Sequence, residues 1–274
     1  MRGQALIFQV ILLVLCGASQ AQRVQFTPAE KALVLERMKS IPETNEARAA
    51  RLKELFSEAG CNGSALFEQK VEGSDTPNII CRLGTGGGDT VIVGAHYDRT
   101  TSPQRPLDNW SGASLLPALY QSLRARKRNH SFVFVAFADN GNNAAGAEYF
   151  ARNLTRSQLG HAEAMVNVDA LGLSPTKVWS AHSDKELVHS LMIMVYALKL
   201  PASQIDIASV GHTDSDSFAA RKIPQITIHS LTQQNVATGV TTQFRPNNYY
   251  DTYRLLCGYL AYLDQILKQK GRSE

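Results

Sequence analysis

The stretch TVIVGAHYDRTTSPQRPLDN, residues 90–109, decides how the rest of the chain is read. Val91, Ile92 and Val93 form an uninterrupted apolar run, the composition of a strand buried on both faces of a parallel or mixed sheet. His96, Asp98 and Asp108 follow at the end of that run. A buried strand has no need of an imidazole and two carboxylates, and loops at the carboxyl ends of strands in open α/β sheets are where ligands bind. In a His-x-Asp pair one ring nitrogen can ligate a metal while the carboxylate two residues on orients the ring. The same residues would also suit a hydrogen-bonded strand-end histidine with two solvated aspartates, so the other strand ends must decide.

Outward from this strand the periodicity alternates. Upstream, residues 28–40 and 44–59 read as helices separated by Ile41-Pro42, and residues 66–71 and 78–83 as strands leading into a glycine-rich turn at 84–88. Downstream, helices at 111–126, 144–153, 185–198 and 250–268 alternate with strands at 131–138, 164–169, 177–181, 204–209 and 225–229. This alternation predicts a single domain over residues 22–274, a three-layer α/β/α sandwich with a mostly parallel, mixed central sheet.

The first residues carry a separate message. Arg2 precedes an apolar run over residues 5–16, and Ser19-Gln20-Ala21 places small residues where a signal peptidase cleaves. Residues 1–21 therefore read as a signal peptide, too short for a comfortable membrane span, and the mature chain is expected to be secreted or periplasmic. Its removal takes away Arg2 and lowers the formal charge from +4 to +3, too little to imply nucleic acid as a partner. With 44% hydrophobic and 19% charged residues the composition is that of a globular protein, which argues against disorder. In an oxidising compartment Cys61 and Cys81 could close a disulfide, whereas Cys257 falls in an apolar helical pattern and reads as packed.

His96, Asp108, Asp139 and Asp169 all fall at strand ends, and in this order the chain resembles the secreted zinc aminopeptidases, with glutaminyl cyclases as more distant relatives. The resemblance covers roughly residues 30–268. Gly94-Ala95-His96-Tyr97-Asp98 is similar to the family's first ligand with its orienting aspartate, Asp108-Asn109-Trp110-Ser111-Gly112 to its bridging ligand, and Asn167-Val168-Asp169 to its third. Ser215-Asp216-Ser217-Phe218 resembles the substrate-side loop; Asp216 either binds a substrate amino group or caps the helical turn, and Trp110 is a candidate pocket wall. The resemblance implies His96, Asp108 and Asp169 as ligands, Asp98 in a catalytic, orienting role, and a peptide N-terminus as substrate.

Three positions depart from the family. Its glutamate pair, a general base and a ligand, falls on Asn140 and Gly141, and its last histidine ligand falls on Asn247. One metal subsite thus keeps three protein ligands and the other only the shared Asp108, unless His229 or His212 reaches in. The expectation is one zinc ion rather than two, with Asp139 as a substitute base and reduced hydrolysis, because loss of a general base costs about two to four orders of magnitude in rate. The alternative is a pseudoenzyme serving as a binding or scaffold protein. Acyl transfer of the glutaminyl-cyclase kind is weaker, since those enzymes keep the subsite lost here.

Overall fold

The computed structural model describes residues 8–12, 22–39, 41–84, 88–99, 109–138, 144–205, 213–238 and 243–267. In chain order these form β1 (Phe8–Leu12), β2 (Gln22–Phe26), α1 (Lys31–Glu36), α2 (Asn45–Glu58), β3 (Leu66–Gln69), β4 (Asn78–Leu83), β5 (Thr90–His96), α3 (Trp110–Ala113), α4 (Leu116–Arg124) and β6 (Ser131–Phe137). There follow α5 (Ala145–Arg152), α6 (Arg156–His161), β7 (Ala162–Val168), β8 (Thr176–Trp179), α7 (Lys185–Leu198), β9 (Ala202–Ile205), α8 (Asp214–Ala219), β10 (Gln225–His229), α9 (Gln233–Thr238) and α10 (Pro246–Ile266).

Eight strands make one mixed sheet in the order β3-β4-β6-β5-β7-β10-β8-β9. Its four central strands, β6, β5, β7 and β10, run parallel, and antiparallel pairs appear toward the edges. Alternation along β5 sends Val91, Val93 and Ala95 into a core shared with α2, α4, α7 and α10, and sends Ile92 into a second core with Phe137, Phe150, Met165 and Phe218. The sheet is therefore covered on both sides, which is why β5 reads as an unbroken apolar run.

The expected helix over 111–126 is two helices, α3 and α4, broken at Ser114-Leu115. Pro117 lies in the first turn of α4, and a proline has no N–H to bond back to Ala113, so the helix restarts there. The last helix begins four residues earlier than its apolar pattern indicated, again at a proline, Pro246. Its inner face carries Tyr249, Tyr253 and Tyr259, whose hydroxyls donate to the carbonyls of Ser111, Ala118 and Leu187.

The Cys61–Cys81 disulfide is present and ties the end of α2 to β4, and Cys257 is buried as expected. At the N-terminus β1 and β2 form a separate antiparallel ribbon with Val10 opposite Val24, and Val24 and Phe26 are buried. The expected cleavage residues Ser19, Gln20 and Ala21 lie outside the described residues. Among the described residues no helix is long and apolar enough to cross a membrane.

Candidate active site

Parallel register places Gly94 of β5 and Thr227 of β10 on either side of Asn167 of β7. Two residues further along each strand, at the carboxyl end of the sheet, His96, Asp169 and His229 therefore stand in a row on one face. The His96 Nε2 atom lies 3.6 Å from Asp169 Oδ1. Its Nδ1 lies 2.8 Å from Oδ2 of Asp214, in the first turn of α8.

That contact corrects the expected orienting residue. Asp98 was to hold the ring, but the Nδ1 partner is Asp214, which is fully buried and which the sequence reading did not single out. The physical reason is the position of α8, which packs over the face to which His96 points. Asp98 lies nearby and is buried; its backbone carbonyl accepts from Arg48 Nη1 at 3.0 Å and from Asn109 Nδ2 at 2.6 Å. Burial works against the His96 imidazolium, yet the charge and hydrogen bond of Asp214, reinforced by Asp169 and Asp98, outweigh it and hold the ring well above its usual range.

His229 is differently placed. Its Nδ1 accepts the Leu231 N–H at 3.1 Å, its ring packs against Trp179, and among the described residues the buried Nε2 has no hydrogen-bond partner. Burial holds the ring down, to about 4, with the Asp169 charge opposing and the Lys177 charge reinforcing. A neutral ring whose Nδ1 accepts carries its proton on Nε2, so in this arrangement His229 offers a donor, not a lone pair. His212, the other proposed replacement, lies outside the described residues.

The backbone around these side chains is fixed by specific devices. Asn109 adopts a positive φ of 69°, and Ser111 Oγ accepts the Leu171 N–H at 2.9 Å, pinning the loop that follows Asp169. A Cβ at Gly112 would come 2.3 Å from the Val168 carbonyl oxygen, so only glycine lets α3 approach β7 this closely. The sequence Asn-Trp-Ser-Gly is thus explained by packing between the two candidate ligand segments. Trp110, expected at a pocket wall, is instead wholly buried, with Nε1 donating to the Arg37 carbonyl and Arg48 over its ring.

Asp108, Asp139, Asn140 and Gly141 lie outside the described residues. The ends of the segment that carries the last three are nevertheless held: the Asn78 side chain accepts from Ala138 N at 2.9 Å and donates to Gly146 O at 2.9 Å. Asp216 accepts the Thr213 N–H at 2.8 Å in a capping box at the start of α8, the geometry of the capping alternative. Asn247 stands exposed at the start of α10, where its Oδ1 accepts from Lys31 at 2.6 Å.

Among the described residues no group of three or more acidic, histidine or cysteine side chains is arranged to hold a metal ion. Two of them fit zinc chemistry. A carboxylate on Nδ1 selects the form of His96 whose Nε2 is the ligand atom, and Nε2 faces the Asp169 carboxylate.

A mixed sheet, helices on both faces and a histidine–carboxylate row at its carboxyl edge define a zinc-exopeptidase-like α/β fold. The chain belongs to peptidase family M28, whose model matches residues 78–254. Solved structures agree on the fold. The LapA aminopeptidase of Legionella pneumophila superposes with a TM-score of 0.75 at 16% identity, over 87% of this chain and 72% of that one. The zinc aminopeptidase BSAP of Bacillus subtilis gives 0.60 at 17% identity, over 73% and 52%, and the glutaminyl cyclase of Fimbriiglobus ruber gives 0.60 at 15%, over 85% and 92%. No curated protein sequence matches significantly.

Proposed function

We propose that this chain is an exported, zinc-dependent aminopeptidase-like hydrolase that removes N-terminal residues from peptides through a depleted, one-metal site. The observation that carries the reading is the Asp214–His96 contact, which leaves Nε2 directed at Asp169. His96, Asp169 and, by family resemblance, Asp108 would hold the ion. Zinc, when bound, supplies a Lewis acid that polarises a carbonyl and makes water more acidic. Asp214 keeps the His96 ring in its ligating form, Asp98 adds negative charge beside it, and Asp139 is the carboxylate in reach of the lost base's position along the chain.

Elemental analysis of the purified mature protein, combined with hydrolysis of aminoacyl chromogenic substrates, tests this reading. The expected result is at most one tightly held zinc per chain and slow release of the N-terminal residue. Two tightly held ions would overturn the one-metal assignment and point first to His212 or His229. Export with cleavage is tested by mass spectrometry, with Gln22 as the expected first residue; an intact Met1 would refute it.

A second reading, a binding or scaffold protein on the same fold, draws on Asn140 and Gly141 in place of the glutamate pair and on the engagement of Asn247 with Lys31. Zinc without any hydrolysis would favour it.

A further inference from the structure

We infer a second binding site, at the opposite end of the sheet from His96, for a short amphipathic carboxylate. Helix α5 has only eight residues, about 12 Å of cover, and beyond Leu154 the chain turns into α6. The helical layer therefore stops short of the amino end of β5, leaving a cavity of about 230 Å³. Its apolar lining comes from Phe67, Ile80, Ile92, Val133, Phe150 and Leu154. Phe67, Val133 and Leu154 remain partly exposed, so the cavity opens to solvent.

Charge at the rim selects the ligand. The Arg82 guanidinium lies 4.5 Å from the centre of the Phe67 ring and has no ion pair among the described residues. Glu68, on the opposite face of β3, pairs with Lys53 at 2.5 Å, and Asp89 pairs with His161 at 2.8 Å. Gln69, Ser131, Asn153, Gln158 and His161 also line the cavity, so an exposed cation stacked at the mouth of this mixed apolar and polar wall complements a molecule with an apolar body and one anionic head that can also accept hydrogen bonds. The volume lies below the roughly 300–1,000 Å³ of sites for drug-sized ligands, which limits the body to a short chain or one ring. Its concave shape fits a small molecule rather than a flat protein surface.

The site is separate from the His96 row. Thr90 and His96 are the two ends of β5, six residues or about 20 Å apart at roughly 3.3 Å per residue.

Sodium octanoate and octan-1-ol are the probes, read by calorimetry and by methyl NMR of Ile80, Ile92, Val133 and Leu154. Octanoate is expected to bind one to one and shift those methyl signals, with octan-1-ol at least tenfold weaker. Arg82→Gln should weaken octanoate about tenfold and leave octan-1-ol unchanged. Leu154→Trp should fill the cavity and abolish both while thermal unfolding stays cooperative; should that variant fail to fold, the wild-type methyl shifts decide. Absence of those shifts, or of any octanoate binding, overturns the site. Equal affinity for octan-1-ol, or for octanoate after Arg82→Gln, overturns its preference for an anion.

Discussion

Asp214 and His96 are 118 residues apart in sequence, yet their side chains meet at 2.8 Å in the interior, with Asp214 fully buried. An outer carboxylate of this kind sets both the orientation and the basicity of a ligating ring, and its loss typically costs about 10- to 100-fold in metal affinity. Asp214→Asn should therefore weaken zinc binding by about that factor while the fold persists. Competition with a chromogenic chelator measures it, and an unchanged affinity would sink the proposed role of the pair.

Asn78 holds Ala138 N and Gly146 O, the two flanks of the segment that contains Asp139. Asn78→Ala leaves the buried Ala138 N–H without its acceptor and removes the side-chain bond to Gly146 O, at a cost of about 1–3 kcal/mol for the group left unpaired. Chemical denaturation should show a lower midpoint with an unchanged slope. If hydrolysis is present in the wild type, it should fall further than the stability loss explains, because the base's segment loses its anchor.

Restoring the family residues is expected to raise activity. A glutamate can take a proton from the attacking water, whereas an asparagine amide can only hydrogen-bond to it. Asn140→Glu with Gly141→Glu should increase hydrolysis of aminoacyl chromogenic substrates, and Asn247→His should increase it further. The last change also removes the bond to Lys31, so the gain should be non-additive. A wild type already as fast as ordinary enzymes, and inactivated by Asp139→Asn, would make Asp139 the working base and refute the depleted-site reading.

A buried cluster away from the site sets part of the pH dependence of stability. Burial opposes ionisation of Asp264, but hydrogen bonds from His130 and Asn129 and the charge of Arg126 outweigh it and hold the carboxyl below its usual range. Burial likewise opposes the His130 imidazolium, and Asp264 outweighs it and raises the ring. A lowered carboxyl stabilises the fold above its unfolded pKa, about 3.9, and loses that contribution as pH falls through the folded value. A raised histidine stabilises below its unfolded pKa, about 6.5, and loses that contribution as pH rises through the folded value. The stability gap between wild type and Asp264→Asn should thus be widest between about pH 4 and 6.5 and narrow on both sides, as thermal unfolding across pH would show. A gap independent of pH would refute the ionic account.

The apolar run at Val91–Val93, the strand over Asn78–Leu83 and the helix over Lys185–Leu198 were legible because each is specified by local periodicity, and burial on both faces leaves a continuous apolar signature. The ligand candidates His96 and Asp169 were legible for a related reason, being polar residues where an apolar strand ends. Asp214 was not. In Thr213-Asp214-Ser215-Asp216 the spacing of Thr213 and Asp216 is that of a capping box, a signal that assigns Asp216 to its own helix and leaves Asp214 free. What Asp214 then touches depends on how α8 crosses the sheet, and that crossing is set by the packing of Phe218 against Phe137 and Phe150. Likewise, Ser111 and Gly112 read only as members of the motif Asp108-Asn109-Trp110-Ser111-Gly112 until Leu171 and Val168 came within reach of them. Contacts between residues so far apart in the chain leave no periodic trace in a single sequence, because they are selected by the packing of whole layers and not by the neighbours of either residue.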